Sequence, residues 1–322
     1  MGFKKLAGFE VSDHVLSLVW APDGTRLLAT PSTGPIVLAS AAGDVLEELP
    51  GHGLGNGASD FLVTCGFDGK IRLHEMKREV TPGRGWIERV KWSPDRRHLA
   101  AAQGRTLFVF SAEGEPVTSF PDHQTSVSDF AWNPIRPEEI VSVCGGGARM
   151  WRLGESEPFA RFDWGGASLL VAWAPDGRWI VTGDQTPSVH LYDFQRDDPL
   201  HIQGYETKVK AMDFSPDATR LATGGGPMIT VWNCTGETGP ANTTPGQLRF
   251  HKGDVEVLVW SPTGDFLASG DVAGRVVISD AKGKPVSAFQ DEESVSALAW
   301  SPDGTLLAVG DAGGRVVIFG KV

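Results

Sequence analysis

Several classes of protein are excluded by what this sequence has little of. Only three cysteines, Cys65, Cys144 and Cys234, occur in 322 residues, far apart and with no CxxC pair. That excludes a disulfide framework and a cysteine-based zinc site, and suits buried free thiols in a reducing compartment. No apolar run approaches the about 20 residues needed to span a bilayer, and MGFKKLAGFEVSD lacks the apolar centre of a signal peptide. A cytoplasmic protein with no membrane partner is expected. Cations are also short, 29 Lys and Arg against 40 Asp and Glu, for a net charge of −11. No basic run is present to displace counterions from phosphates, so no nucleic-acid partner is expected. There are two Tyr but 11 Trp, and most of the Trp recur at one position.

What is abundant is turn chemistry: 40 Gly and 21 Pro beside 41% hydrophobic residues, which suits many short strands. A five-residue phrase repeats, WAPDG at Trp20, WSPDR at Trp92, WNPIR at Trp132, WAPDG at Trp173, FSPDA at Phe214, WSPTG at Trp260 and WSPDG at Trp300. The intervals are 72, 40, 41, 41, 46 and 40 residues. The first is two repeats less eight residues, so a shortened repeat lies between Trp20 and Trp92. Its second half is FLVTCGFDGKIRLHE, Phe61 to Glu75, preceded by GHGLGNGAS (Gly51 to Ser59) in place of a first strand and turn. Eight repeats are counted, roughly 10–50, 51–81, 82–121, 122–163, 164–204, 205–250, 251–290 and 291–322, in one domain spanning 1–322. Seven would remain if the short second unit merged with a neighbour.

Each repeat predicts four strands. The Pro-Asp-Gly turn presets φ at Pro and lets Asp bond its own backbone. Apolar residues stand two before the anchor (Leu18, Val90, Phe130, Val171, Met212, Leu258, Leu298) and five before it (Val15, Ile87, Val127, Val209, Val255, Val295, with Ser168 the exception). A plain strand keeps a period of two, so this spacing predicts a β-bulge in the first strand. Four short strands every about 40 residues predict a propeller blade. The fold class is therefore all-β, a single closed β-propeller of four-stranded antiparallel blades, eight favoured. The last repeat reaches Val322 with only three strands. Leu6 and Phe9 match Val286 and Phe289 in spacing, so residues near Lys4 to Phe9 are expected to complete it and close its edge.

These units resemble WD-repeat propellers over essentially the whole chain, through the SPDG-like turn, the LASG-like strand Leu267 to Gly270 and the VW pair Val231-Trp232. The family's buried tetrad of His, Ser or Thr, Asp and Trp is eroded here. Only Trp151 and Trp232 fill the Trp slot, His74 stands there in the second repeat beside His52, Thr64 and Asp68, and the His slot holds His123, Trp164, Tyr205 and His251 in four of the units. The resemblance implies a non-catalytic interaction platform, although fold alone does not determine function.

Catalytic signatures are missing: no HExxH, no GxSxG elbow and no Walker sequence. GHGLGNG is followed by no helix pattern that would present amides to phosphate. The glycine runs Gly145 to Gly147 and Gly224 to Gly226 read as tight turns with positive φ. His123 and His251 sit in non-adjacent repeats, which argues against joint metal ligation, and no cofactor is expected. Asp184, Asp271 and Asp311 follow Gly at one recurring turn and read as backbone caps. Trp86, Trp164 and Tyr205 fall in connections entering a first strand, which in a propeller gather on one face. With His123 and His251 they form the candidate partner-binding set, since Trp and Tyr dominate interface hot spots. The equal alternative is that Trp164 and Tyr205 pack in place of the family His. Three functions follow: a scaffold binding a protein or peptide on that face; a small-molecule or metal binder, possibly an enzyme, at the channel mouth; or a subunit whose short second blade takes a partner's strand.

Overall fold

Where the recurring phrase predicts a turn, the backbone makes one. In the computed structural model, which describes residues 2–121, 123–193 and 199–322, Gly24 N–H donates to Ala21 O at 2.9 Å and Gly304 N–H to Ser301 O at 2.8 Å. Asp23 accepts from Thr25 N–H at 2.9 Å, and that bond holds its carboxyl below the usual carboxylate range. The predicted bulge is present as well. The pairing register slips between Val15 and Ser17, Ser168 and Leu170, Val255 and Val257, and Val295 and Ala297. One extra residue there turns the positions on either side of the slip toward the same buried face.

All described residues in regular structure are in strands, turns or bridges, with no helix among them. The chain divides into two compact units, Met1–Asn56 with Lys210–Val322, and Gly57–Val209. The first holds four four-stranded antiparallel sheets. Three are built in chain order: Val15–Trp20, Arg26–Pro31, Ile36–Ser40, Val45–Leu49; Ala211–Phe214, Arg220–Gly224, Ile229–Asn233, Gly246–Leu248; and Val255–Trp260, Phe266–Asp271, Arg275–Asp280, Pro285–Gln290. The fourth joins Val295–Trp300, Leu306–Asp311 and Arg315–Lys321 to the amino-terminal Phe3–Glu10, which pairs antiparallel with Arg315–Lys321. The amino terminus thus completes the last blade, as its spacing predicts. The register slips at Leu6, which is 52% exposed, and the buried contact is made by Phe3 instead.

The second unit corrects the blade count. Among the described residues it holds three sheets, so seven are present where eight repeats predict eight. The short second repeat keeps its own three-stranded sheet, Val63–Cys65, Ile71–Leu73 and Arg78–Val80. Repeat three forms a four-stranded sheet, Arg89–Trp92, His98–Gln103, Thr106–Ser111 and Pro116–Phe120. The loss comes from repeats four and five, which share one six-stranded sheet. Its strands are Asp129–Trp132, Glu139–Arg152, Ala160–Trp173, Trp179–Asp184, Ser188–Asp193 and Leu200–Gln203. Glu139–Arg152 and Ala160–Trp173 each run 14 residues, through a turn and a connection that interrupt strands in the other repeats. Each repeat keeps its own register inside the shared sheet: Ile140 to Val143 pair with Asp129 to Trp132, and Leu170 to Trp173 with Ile180 to Gly183. The positive φ expected at Gly145–Gly147 is present, although the strand assignment continues through it. Gly146 and Gly147 have φ of 89° and 114°, and Gly145 pairs across to Ala167.

The missing first strand of repeat two is replaced by its own chain. Gly57 N–H donates to Cys65 O at 2.8 Å and Ala58 bridges Arg89 in parallel. A Cβ on Gly57 would lie 2.7 Å from Cys65 Sγ and 2.6 Å from Ile87 O, so only glycine fits. Within each unit the core is laid between successive sheets. One layer joins Val15, Leu18 and Trp20 to Ala308, Val316 and Ile318, and another joins Phe120, Phe130 and Trp151. Second and third strands are covered on both faces, which is why they read as unbroken apolar runs rather than alternating ones.

Candidate functional site

His123 and His251 stand in the candidate partner-binding set, and the structure turns both inward. His123 is buried. Its Nδ1 lies 3.0 Å from Arg105 O and its Nε2 2.7 Å from Ser142 Oγ, while Trp151 Nε1 donates to the same hydroxyl at 2.8 Å. A carbonyl can only accept, so Nδ1 carries the proton, Nε2 accepts from Ser142, and Ser142 accepts from Trp151. His251 is buried against Asp271 Oδ2 at 3.0 Å and Ser269 Oγ at 2.7 Å. Burial lowers its pKa, with the Asp271 hydrogen bond opposing. Both rings have each nitrogen occupied by the protein itself, His123 by Arg105 of the preceding repeat and Ser142 of its own, His251 by Asp271 and Ser269, so His123 and His251 are corrected from partner contacts to internal struts. The eroded tetrad survives as these partial sets.

Trp164 is also reassigned. It lies inside the strand Ala160–Trp173, not in a connection, because repeats four and five share that strand. Its indole stacks on His190 at 4.5 Å and 18°, and on Tyr192 at 5.7 Å. That is the packing alternative, an aromatic filling the family's His slot. Burial first, then the charges of Asp184 and Asp163, push the Tyr192 hydroxyl pKa up. Tyr205 lies half-buried in the connection after Leu200–Gln203.

Trp86 alone of the five is strongly exposed, at 62%. It is held from below by Phe67, ring centroids 5.3 Å apart. The backbone on both sides is pinned: Gly85 O accepts from Gln103 Nε2 at 2.6 Å, and Ile87 N–H donates to Gly66 O at 3.1 Å. Ile87 itself is fully buried. An indole is thus displayed to solvent on a chain segment that is already ordered. Phe67, which gives Trp86 its seat, is not singled out by sequence reasoning; only the fold brings the turn of repeat two to the connection entering repeat three.

Charged groups are mostly matched. Asp129 is buried between Arg89 and Lys91, the latter at 3.0 Å. Burial pushes its pKa up, but those cations hold it below the usual carboxylate range. Lys210 pairs with Glu256, and Asp291 with Arg315 at 2.9 Å. Asp271 and Asp311 cap the recurring turn as expected, taking the N–H groups of Ala273 and Arg275, and of Gly313 and Arg315. Asp184 does otherwise. It accepts from the side chains of Ser168 at 2.7 Å, Ser188 at 3.0 Å and His190 at 2.7 Å.

Comparison with known proteins agrees with this construction. The WD40 domain of anaphase-promoting complex subunit 4 matches residues 258–321, and the WD domain, G-beta repeat, matches 170–193 and 198–233. The B-type cell cycle switch protein ccs52A of Medicago truncatula is 25% identical over 251 residues, covering 71% of this chain and 52% of that protein. Actin-interacting protein 1 of Drosophila melanogaster is 30% identical over 191 residues, 52% and 30% of the two chains. WD repeat-containing protein 1 of Bos taurus is 25% identical over 196 residues, 54% and 32%. The chain spans about half of the relatives' length at most. A crystal structure of the computationally designed Ika8 protein superposes with a TM-score of 0.84 at 17% identity, covering 99% of this chain and 100% of that one, which speaks for the fold alone. Turn phrase, bulged first strand, buried His–Ser–Trp remnants and these matches together bear out the resemblance of the chain to WD-repeat propellers.

Proposed function

We propose that this protein is a non-catalytic scaffold that binds a protein or peptide partner through the surface around Trp86. The observation that carries the reading is an indole 62% exposed on a pinned backbone and seated on Phe67. A large side chain that is already ordered loses little entropy on binding, and Trp is the residue most enriched at hot spots. Half-buried Tyr205 and Trp164 are proposed as rim contacts. The names of two relatives, an actin-interacting protein and a cytoplasmic dynein intermediate chain, fit an interaction role. A reducing, cytoplasmic setting belongs to the proposal, because Cys65, Cys144 and Cys234 are all free thiols.

The test is affinity capture from a lysate with wild type and Trp86→Ala side by side, followed by titration of the captured protein. Trp86→Ala should fold normally and weaken binding by about 2 kcal/mol, roughly 30-fold. Unchanged affinity in the folded variant rejects the site.

A further inference from the structure

We infer that repeat five carries a binding site for a divalent late-transition-metal ion such as Zn2+ or Ni2+, formed by His190 and His201 and positioned by Asp184. Among the described residues, Asp184, His190 and His201 have ligand-type atoms all within 4.8 Å of one another. The two histidines are direct cross-strand partners, His190 on Ser188–Asp193 and His201 on Leu200–Gln203. Opposite residues of an antiparallel pair keep their Cβ atoms about 5 Å apart on one face of the sheet, a spacing that one ion can bridge.

The built part of the site is the Asp184–His190 pair. Asp184 is buried and held by four side-chain donors: Ser168 Oγ at 2.7 Å and Thr182 Oγ1 at 3.2 Å on Oδ1, Ser188 Oγ at 3.0 Å and His190 Nδ1 at 2.7 Å on Oδ2. A carboxylate accepts, so His190 Nδ1 bears the proton and Nε2 keeps its lone pair. Carboxylate–histidine pairs of this kind orient metal-bound imidazoles. The His190 ring is clamped between Trp164 at 4.5 Å and His201 at 4.2 Å, the latter only 4° from parallel.

That stack also says what must move. An imidazole lone pair lies in the ring plane, and two parallel rings cannot aim theirs at one point. His201 is exposed, so its ring can turn out of the stack to meet an ion held at His190 Nε2. Two imidazoles select late first-row ions and Zn2+. Mg2+ and Ca2+ require oxygen-rich shells that these two rings do not provide. The two ligands would tie the outer strand of repeat five to its neighbour.

The test uses the untagged, chelator-treated protein, titrated calorimetrically with ZnCl2, NiCl2 and MgCl2, with thermal melts alongside. Expected are a saturable site for Zn2+ and Ni2+, none for Mg2+, and a melting temperature raised by the ions that bind. His201→Ala, on an exposed position, should melt like wild type without metal yet lose at least tenfold in affinity. Asp184→Asn should bind about 10–100-fold more weakly, as second-layer partners of metal ligands do. No saturable site at millimolar Zn2+ and Ni2+, equal affinity in His201→Ala, or Mg2+ binding as tightly as Zn2+ would each overturn the inference. None of these outcomes bears on the Trp86 surface.

Discussion

Phe3 is the residue through which the amino-terminal strand holds the last blade, and Phe3→Ala tests that directly. Its side chain is 6% exposed and meets Phe266 edge-on at 5.1 Å and Trp300 at 5.4 Å. Its N–H donates to Ser287 Oγ at 2.9 Å, on the fourth strand of the preceding repeat. Truncating a buried Phe costs about 3–5 kcal/mol, from lost transfer energy and the cavity left behind. Phe3 lies at the end of an edge strand, where neighbours relax more easily, so the lower figure of about 3 kcal/mol is expected. Leu6, three residues on, is the control. It is 52% exposed, at the slip in register, and Leu6→Ala should stay within about 0.5 kcal/mol of wild type. Equilibrium urea unfolding reads both, as a fall in midpoint at unchanged slope. A cost for Phe3→Ala under about 1 kcal/mol, or one no larger than that of Leu6→Ala, would refute the assignment of Phe3 as the anchor.

Three further outcomes are expected. Ser142→Ala removes the shared hydroxyl between His123 and Trp151 and leaves two buried groups unpaired; at about 1–3 kcal/mol each, urea unfolding should show a loss of at least about 2 kcal/mol. Asp213 is half-buried, and loss of hydration pushes its carboxyl up to about 7 despite the backbone N–H bonds from Trp260 and Phe214. Its folded pKa lies above the unfolded value, so the folded state holds the extra proton between about pH 4 and 7 and stability falls as pH rises through that window. Asp213→Asn should remove that fall, seen as a variant that gains on wild type from pH 4 to 7 in urea unfolding and then stays level. Cys65, Cys144 and Cys234 are buried, and burial pushes the Cys65 thiol pKa up. A thiol reagent should label all three only in denaturant, and rapid labelling of the native protein would contradict their placement.

Trp20, Trp92, Trp132, Trp173, Phe214, Trp260 and Trp300, with their turns, announce a repeated four-stranded unit from sequence, and the break in period before them announces the bulge. Both are local: a turn and a skipped residue follow from φ preferences and side-chain alternation within a few positions. The pairing of Phe3–Glu10 with Arg315–Lys321 was also legible, because the last repeat is visibly one strand short. Its anchor was not, since the register slips at Leu6, which stays exposed, and Phe3 is the residue buried. The sheet count depends on whether Gly145–Gly147 and the segment around Trp164 end their strands or carry pairing onward, and hydrogen bonds to residues 16 or more positions away decide that. His123 and His251 show the same limit. A histidine in a given slot is evident from spacing, but whether its nitrogens face a partner or Ser142 and Ser269 depends on strands that only packing brings beside it. The sequence by itself determined the all-β class, the repeat and the rule for each turn, because these rest on short-range backbone chemistry. Tertiary structure alone decided that Trp86 sits exposed on Phe67 while Trp164 lies against His190, because burial is settled by which distant segments pack over a side chain.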